Sequence, residues 1–438
     1  MTTNELKSYF LQHAEVTTDS RQCPEGSIFI ALKGEKFNGN AYAAKALEQG
    51  CAVAVVDESQ HCVDGDPRYV LVDDALQTLK NLARLWRRQF HIPVVAITGT
   101  NGKTTTKELV RAVLSERYNV MATEGNFNND VGVPKTLLRL RPEHEIAIVE
   151  MGASHPGDIK TLVETAEPTC GLVTNVGRAH LQGFGSFEGV MQTKGELYDF
   201  LSAQKDSAVF IHAEDEHLMA MAHQRGISQL VTYSTNGNPS CFASGQLHSA
   251  SPFVSFTWKE QPVETHLVGS YNLANLMAAV CVGRFFDVST EQINHALSTY
   301  VPTNNRSQMM KTNRNTLVVD AYNANPTSMM AALESFSMQM PSAEDKLNAF
   351  LILGDMKELG ESSGMEHQRI VDFLAAQHFQ RVWLVGDEFA HTTGTGAFRL
   401  FHDVEEVKTM LKTEKPEGFT VFIKGSNSTK LYELPAFL

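Results

Sequence analysis

The sequence predicts an α/β protein of three domains. These are a small N-terminal α/β unit, a central mostly parallel sheet with helices on its faces, and a C-terminal open α/β sheet. Three observations predict this. Short apolar, β-branched runs alternate with helical stretches along the chain, the pattern of parallel sheets covered by helices. At 438 residues the chain exceeds one ordinary core, and a prior of about 150 residues per domain suggests three. Its 42% hydrophobic and 20% charged residues are those of a globular protein. The expected domains span 1–82, 83–302 and 303–438.

In the first block, SIFIAL (27–32), CAVAVVD (51–57) and RYVLVDD (68–74) read as short buried strands. AYAAKALEQG reads as a helix closed by Gly50. A second helix, ALQTLKNLARLWRRQF, ends before Pro93. The central block opens with the strand 94–97, followed by a strand ending at Glu150 and by GLVTNV (171–176). The polar, alternating stretch 240–268 reads as antiparallel strands. A helix then begins at SYN and buries Leu273, Leu276, Met277 and Val280. The third block starts near Pro302. Its strands 316–320, 349–355, 381–387 and 420–426 end in Asp, Gly-Asp or Gly-Ser, and ligands bind at such strand ends in open α/β sheets.

Composition excludes several function classes. A net charge of -13 lacks the basic face of a nucleic-acid binder. The six cysteines, Cys23, Cys51, Cys62, Cys170, Cys241 and Cys281, form no C-x-x-C pair and read as reduced residues. The opening MTTNELKSYFLQHAE lacks a basic start and apolar run, so no signal peptide is expected. No run of 18 apolar residues occurs, so no membrane span is expected.

The chemistry centres on VVAITGTNGKTTTKELVRAV (94–113). It has the order strand, Gly-rich turn, helix, yet is two residues shorter than G-x-x-x-x-G-K-[ST]. Leu109, Val110, Val113 and Leu114 share one helical face. A helix N-terminus offers free N–H groups and partial positive charge to phosphate. Gly99 and Gly102 let the backbone approach, Thr100, Asn101 and Thr105 complete the cradle, Lys103 would reach the β- and γ-phosphates, and Thr104 would take Mg2+. An ordinary βα turn with a surface lysine is the plainer reading of the loop alone.

Four downstream features bear on it. Glu150 closes a strand where a Mg2+ ligand is expected in nucleotide enzymes; taken alone, a solvated strand-end carboxylate is the favoured reading. His180 lies in a Gly-rich loop at the same sheet edge. Lys194 reads as helical, and locally nothing distinguishes it from a surface charge. Thr123, Asn126, Asn128 and Asn129 lie in or beside EGNFNNDVGVP, polar enough for a ligand or a turn.

Taken together, these residues resemble the Mur ligase family of ATP-dependent amide-bond formers, in which GTNGKTTT is the normal loop. The resemblance covers essentially the whole chain. Its points are TTDSRQCPEGSIFIALKGEKFNGN, TEGNFNNDVGVPKTLL, NVGRAHLQGFGSFEGVMQTKGELYDF, VVDAYNANPTSMMAAL, LILGDMKELGESSGMEH and IKGSNS. Within the family they match the branch that adds D-alanyl-D-alanine to UDP-N-acetylmuramoyl-tripeptide. The diaminopimelate- or lysine-adding branch carries a D-N-P-R-type motif that is not found here.

The resemblance implies a UDP-binding first domain, a P-loop ATPase-type central domain and a Rossmann-like third domain, with ATP and Mg2+ as cofactors. It implies that Thr104 and Glu150 hold Mg2+ and that His180 and a carbamylated Lys194 hold a second. Asn272 and Asn275 match adenine-contacting positions, and Arg306 and Asp320 reach ATP from the third domain. Ser20, Arg21 and the loop from Gly34 to Asn38 match the UDP site. Asn323, Asn325, Asp355, Lys424 and Ser426 would face the dipeptide or acyl centre. A cytoplasmic monomer acting on small molecules, without nucleic acid or membrane span, is expected.

Two departures stand out. Asn427 occupies a position that is Arg in many relatives, which leaves Lys424 as the nearest candidate cation for the dipeptide carboxylate. Gln182 stands where many have Glu. The competing readings are a sister ligase adding a single amino acid, a folate-acting relative, a P-loop GTPase or motor, and a non-catalytic nucleotide-binding scaffold. The last is opposed by the intact Lys103, Thr104, Glu150, His180 and Lys194; the GTPase by the short loop.

Overall fold

The computed structural model describes residues 3–13, 15–303, 305–394, 396 and 398–438. The first domain has a four-stranded parallel sheet in the order Val16–Thr17, Ile28–Ile30, Val53–Val56, Tyr69–Leu71. The three strands expected from sequence are present but shorter. The pair Val16–Thr17 escaped notice because two residues carry no periodicity. The loop 33–38 contains a small hairpin, Lys33–Gly34 against Phe37–Asn38.

The helix Ala75–Arg87 crosses residue 82 and joins the first two domains. Its Leu79, Leu82 and Ala83 share one core with Leu6 and Phe10 on one side and Leu162 and Val163 on the other. Trp86 Nε1 donates to Leu140 O at 3.1 Å. The buried Arg87 donates to Phe90 O at 2.7 Å and Ala166 O at 3.2 Å. The seam is therefore a packed face centred on a helix and not a linker.

The central sheet has nine strands. From one edge the first seven run Val120–Ala122, Ile146–Glu150, Val94–Thr98, Cys170–Val173, Ala208–His212, Leu230–Ser234 and Ala243–Ser249, all parallel. Ser255–Trp258 and Gln261–Glu264 complete it antiparallel, as the alternating stretch predicts. Val94, Val95, Ala96 and Ile97 are fully buried, as are Leu109, Val110, Val113 and Leu114 of the following helix Lys103–Ser115. Each such valine, leucine or isoleucine contributes roughly 1.5–3 kcal/mol relative to exposure, which fixes the turn between them. The connections leaving the adjacent strands Val94–Thr98 and Cys170–Val173 run to opposite sides of the sheet. Their carboxyl ends thus open a crevice of the kind where α/β sheets bind ligands.

The third domain has six strands in the order Gln308–Lys311, Thr316–Asp320, Thr420–Lys424, Ala349–Gly354, Arg381–Val385, Arg399–Phe401. Only the first pairing is antiparallel. Its strand ends face the central crevice. Among the described residues no helix is long and apolar enough to cross a membrane, and all six cysteines are free.

Candidate active site

The short loop is held in shape by the exit of the next strand. Thr100 N donates to Asn175 O at 2.9 Å and Asn101 N to Asn175 Oδ1 at 3.0 Å. Gly177 N donates to Thr100 Oγ1 at 2.9 Å, and Thr174 Oγ1 to Asn101 O at 2.6 Å. Gly99 has φ 140°, and a Cβ there would lie 2.0 Å from Thr174 Oγ1. Gly102 has φ 79°, and its Cβ would lie 2.5 Å from Asn275 Oδ1. Neither site admits a side chain. Asn175 was missed by sequence reasoning; its only signal is a polar side chain just past a buried strand.

Lys103 folds its amine onto Gly99 O at 2.8 Å and Thr100 O at 2.9 Å. Burial lowers its pKa to about 8, opposed by Glu150 and helped by Arg306. Thr104 Oγ1 donates to Glu150 Oε1 at 3.1 Å, and Asn128 Nδ2 donates to the same oxygen at 2.8 Å. Glu150 is buried, so the solvated-carboxylate reading fails, and its Oε2 has no partner. An unpartnered buried carboxylate oxygen beside a threonine hydroxyl fits Mg2+, which takes one or two carboxylates and completes its shell with water and substrate phosphate. Among the described residues no group of three or more His, Cys, Asp or Glu forms a cation cage.

Lys194, on the helix Phe187–Ser202, is also buried, its amine 5.5 Å from the Phe184 ring centre. It is not a surface charge. Burial, and then the charge of Lys103, hold its pKa well below the usual lysine value. His180 has φ 50°, and its Nδ1 meets the carboxylate of Glu358 from the third domain. Burial lowers its pKa, against the pull of Glu358.

Lys103, Thr104, Asn128, Glu150, His180 and Glu358 line a cavity of about 870 Å³ shared by the central and third domains, whereas Lys194 lies buried outside its lining. Asn126, Asn129, Asn272, Asn275, Arg306, Asp320, Asn323 and Lys424 also line it. Asn275 Nδ2 donates to Asn272 Oδ1 at 2.8 Å, and Asn272 Nδ2 to Ser307 Oγ at 3.1 Å. Thr106 Oγ1 donates to Asn275 Oδ1 at 3.0 Å, which ties the loop helix to the domain boundary. Arg306 stacks 3.7 Å from the Tyr322 ring centre, with its Nε buried and unpartnered. Asn325 Nδ2 donates to Asn101 Oδ1 at 2.7 Å, directly across the domains.

Several expected ligand residues stand elsewhere. Thr123 is buried below the cavity, its hydroxyl accepting from Glu150 N at 3.0 Å and its carbonyl from Lys107 Nζ at 2.7 Å. Asp355 is fully buried and is not among the residues lining this cavity; its carboxylate accepts from Glu388 N and Phe389 N at 3.2 Å each, and from Lys357 Nζ at 3.0 Å. Lys424 pairs with Asp320 and is almost fully buried, so it is a spent cation and not a free one for a dipeptide carboxylate. Ser20, Arg21, Gly34 and Asn38 lie on the first domain, outside the large cavity. There Arg21 grips Asp19 through bonds of 2.9 and 2.8 Å, and Asn38 donates to Glu58 at 2.9 Å.

Comparison with known proteins agrees over nearly the whole chain. Residues 13–87 match the model of the Mur ligase family catalytic domain, 97–283 the Mur ligase middle domain, and 305–427 the Mur ligase glutamate ligase domain. The UDP-N-acetylmuramoyl-tripeptide--D-alanyl-D-alanine ligase of Bacillus subtilis is 33% identical, over 96% of this chain and 92% of its own. A crystal structure of MurF from Acinetobacter baumannii superposes with a TM-score of 0.85 at 28% identity, covering 96% and 92% of the two chains. MurF of Thermotoga maritima in complex with ADP gives 0.82 at 26% identity, covering 98% and 97%.

Proposed function

This chain belongs to the Mur ligase family, and we propose that the residues gathered in its cleft carry out the family's amide-forming reaction. The chain is an ATP- and Mg2+-dependent ligase. It joins D-alanyl-D-alanine to UDP-N-acetylmuramoyl-tripeptide, giving the UDP-linked pentapeptide of peptidoglycan synthesis. ATP phosphorylates the terminal carboxylate of the tripeptide, and the dipeptide amine attacks the acyl phosphate. The tetrahedral adduct collapses to amide and phosphate. The transferring groups are mostly anionic, so positioning and electrostatics do most of the catalysis.

The observation that carries the residue assignment is the unpartnered Oε2 of Glu150 beside Thr104 and the short loop. Loop N–H groups and Lys103 hold the phosphates. Thr104 and Glu150 would hold Mg2+, which would neutralise phosphate charge. His180 and a carbamylated Lys194 would hold a second ion; an uncharged buried amine is the form that adds carbon dioxide, releasing a proton. Asn272 and Asn275 border the adenine, and Arg306 and Asp320 complete the ATP site from the third domain. Ser20, Arg21 and residues 34–38 take the UDP moiety. Asn126, Asn128 and Asn129 border the tripeptide, and Asn323, Asn325 and Ser426 the dipeptide. The domains 1–82, 83–302 and 303–438 thus serve UDP, ATP and amine in turn. A cytoplasmic monomer suits a nucleotide-linked substrate and a cleft built from one chain.

The test is phosphate release from ATP with Mg2+, the UDP-linked tripeptide and D-Ala-D-Ala, with mass spectrometry of the product. Release that needs both acceptor and dipeptide, with a product heavier by the dipeptide, is expected. Release supported by a single amino acid would move the chain to a sister activity. ATP binding without release would favour the scaffold.

A further inference from the structure

A second cavity, of about 320 Å³, opens beside the first between the His180 loop and the third-domain strand ends. The two share His180, Asn323 and Glu358. Its volume is near the lower end of ligand sites, and it suits a compact ligand of about 7 Å, the extended length of a dipeptide.

Resting on the reaction assigned above, we propose that Lys357 is the cation that holds the carboxylate of the incoming dipeptide in this smaller cavity, leaving the amine at the shared wall. Lys357 is the one lysine or arginine among the wall residues. Lys424, the other cation at this edge, is spent on Asp320 and only 2% exposed. The Lys357 side chain is 46% exposed. Its backbone is fixed by donation from its N to Ser426 Oγ at 3.1 Å. Its amine gives one bond to Asp355, and an ammonium has three protons, so two remain for the cavity. The Asp355 charge does not cancel the site, because two backbone N–H groups already meet it. Ser426, Asn427 and Ser428 on the wall supply neutral donors to the same carboxylate. The chain's carboxylates at this edge sort likewise: Asp355 lies buried behind the wall, its oxygens taken up by the Lys357 amine and the N–H groups of Glu388 and Phe389, whereas Glu358 stands at the shared wall with His180, where the dipeptide's amino end would arrive.

The experiment compares D-Ala-D-Ala with its C-terminal amide as acceptors, in wild type, Lys357→Met and Lys357→Arg. Wild type should prefer the free carboxylate by about 10- to 100-fold in kcat/KM, the size of one charge-assisted hydrogen bond. Lys357→Met should raise KM for the dipeptide by a similar factor, with kcat and the KM for ATP within about twofold, and should lose the preference. Lys357→Arg should recover part of it. An unchanged dipeptide KM in Lys357→Met, or a preserved preference for the carboxylate, overturns the assignment while leaving the reaction standing. A wild type that ligates neither acceptor overturns both. The unchanged KM for ATP reports that the variant is folded.

Discussion

The two walls of the cleft are built on opposite plans. The central wall is laced internally: each turn of the short loop is bonded to Thr174, Asn175 or Gly177, and a methyl at Gly99 or Gly102 would collide with Thr174 or Asn275. Across the mouth of the cleft the third-domain wall meets it through a few polar contacts, Asn325 with Asn101, Thr327 Oγ1 with Arg178 N at 3.2 Å, and Glu358 with His180, while apolar packing of Val268 and Tyr271 on the third-domain core joins the two domains at the cleft's base. A dense network preorganises charge-stabilising groups. A sparse polar seam can be broken and remade as substrates enter and leave. The first wall should therefore hold most of the catalytic energy, and the second should tune access and closure.

The largest test of that contrast is Lys103→Ala. Removing the amine from the preorganised wall should lower kcat by about 10³-fold or more, with thermal stability lower by only about 1–2 kcal/mol, because the fold loses just the two amine bonds to Gly99 O and Thr100 O. Measured ligation within tenfold of wild type would falsify the phosphate role of the loop.

Legibility in the sequence follows the same division. The central wall is local: Val94–Thr98 is continuously β-branched or small, and Leu109, Val110, Val113 and Leu114 repeat at helical spacing, so strand, turn and helix could be read directly. Asn175, which holds that turn, lies 74 residues from Asn101, and no spacing announces it. On the third wall, the sequence located strand ends at Asp320, Asp355 and Lys424 but not the direction of their side chains. Lys424 finds Asp320 across 104 residues, and Asp355 turns to the amides of Glu388 and Phe389. Lys194 shows the same limit. Its helix was legible, but its burial comes from tertiary packing on both sides, so its charge looked like any surface lysine.

A middle-sized effect concerns pH. With its pKa near 8, Lys103 loses its proton within reach of ordinary buffers, and phosphate favours the protonated form. ATP affinity should be level below pH 7 as far as this group is concerned, and should fall about tenfold between pH 7 and pH 9. The sign is fixed: a base with a lowered pKa binds an anion less well as pH rises through that value. Lys103→Arg keeps its charge throughout and should flatten the profile. An equally steep fall in Lys103→Arg, measured by nucleotide displacement, would assign the titration to another group.

The smallest effect isolates the seam itself. Besides lining the smaller cavity, Asn325 makes two bonds that hold the fold. Its side chain caps the helix Pro326–Met338, accepting from Ser328 N at 2.9 Å, and it donates to Asn101 across the cleft. Asn325→Ala removes both, so it should lose about 1 kcal/mol of third-domain stability from the missing cap and also weaken closure. Asn325→Ser keeps a capping oxygen but lacks the amide that reaches Asn101. The serine variant should therefore melt like wild type while raising the KM for ATP a few-fold, about the worth of one neutral hydrogen bond. If serine and wild type bind ATP equally, the cross-cleft bond carries no closure energy and the seam is held by Thr327 and Glu358. If serine loses as much turnover as Lys103→Ala, closure is as decisive as charge, and the two walls are not built on opposite plans after all.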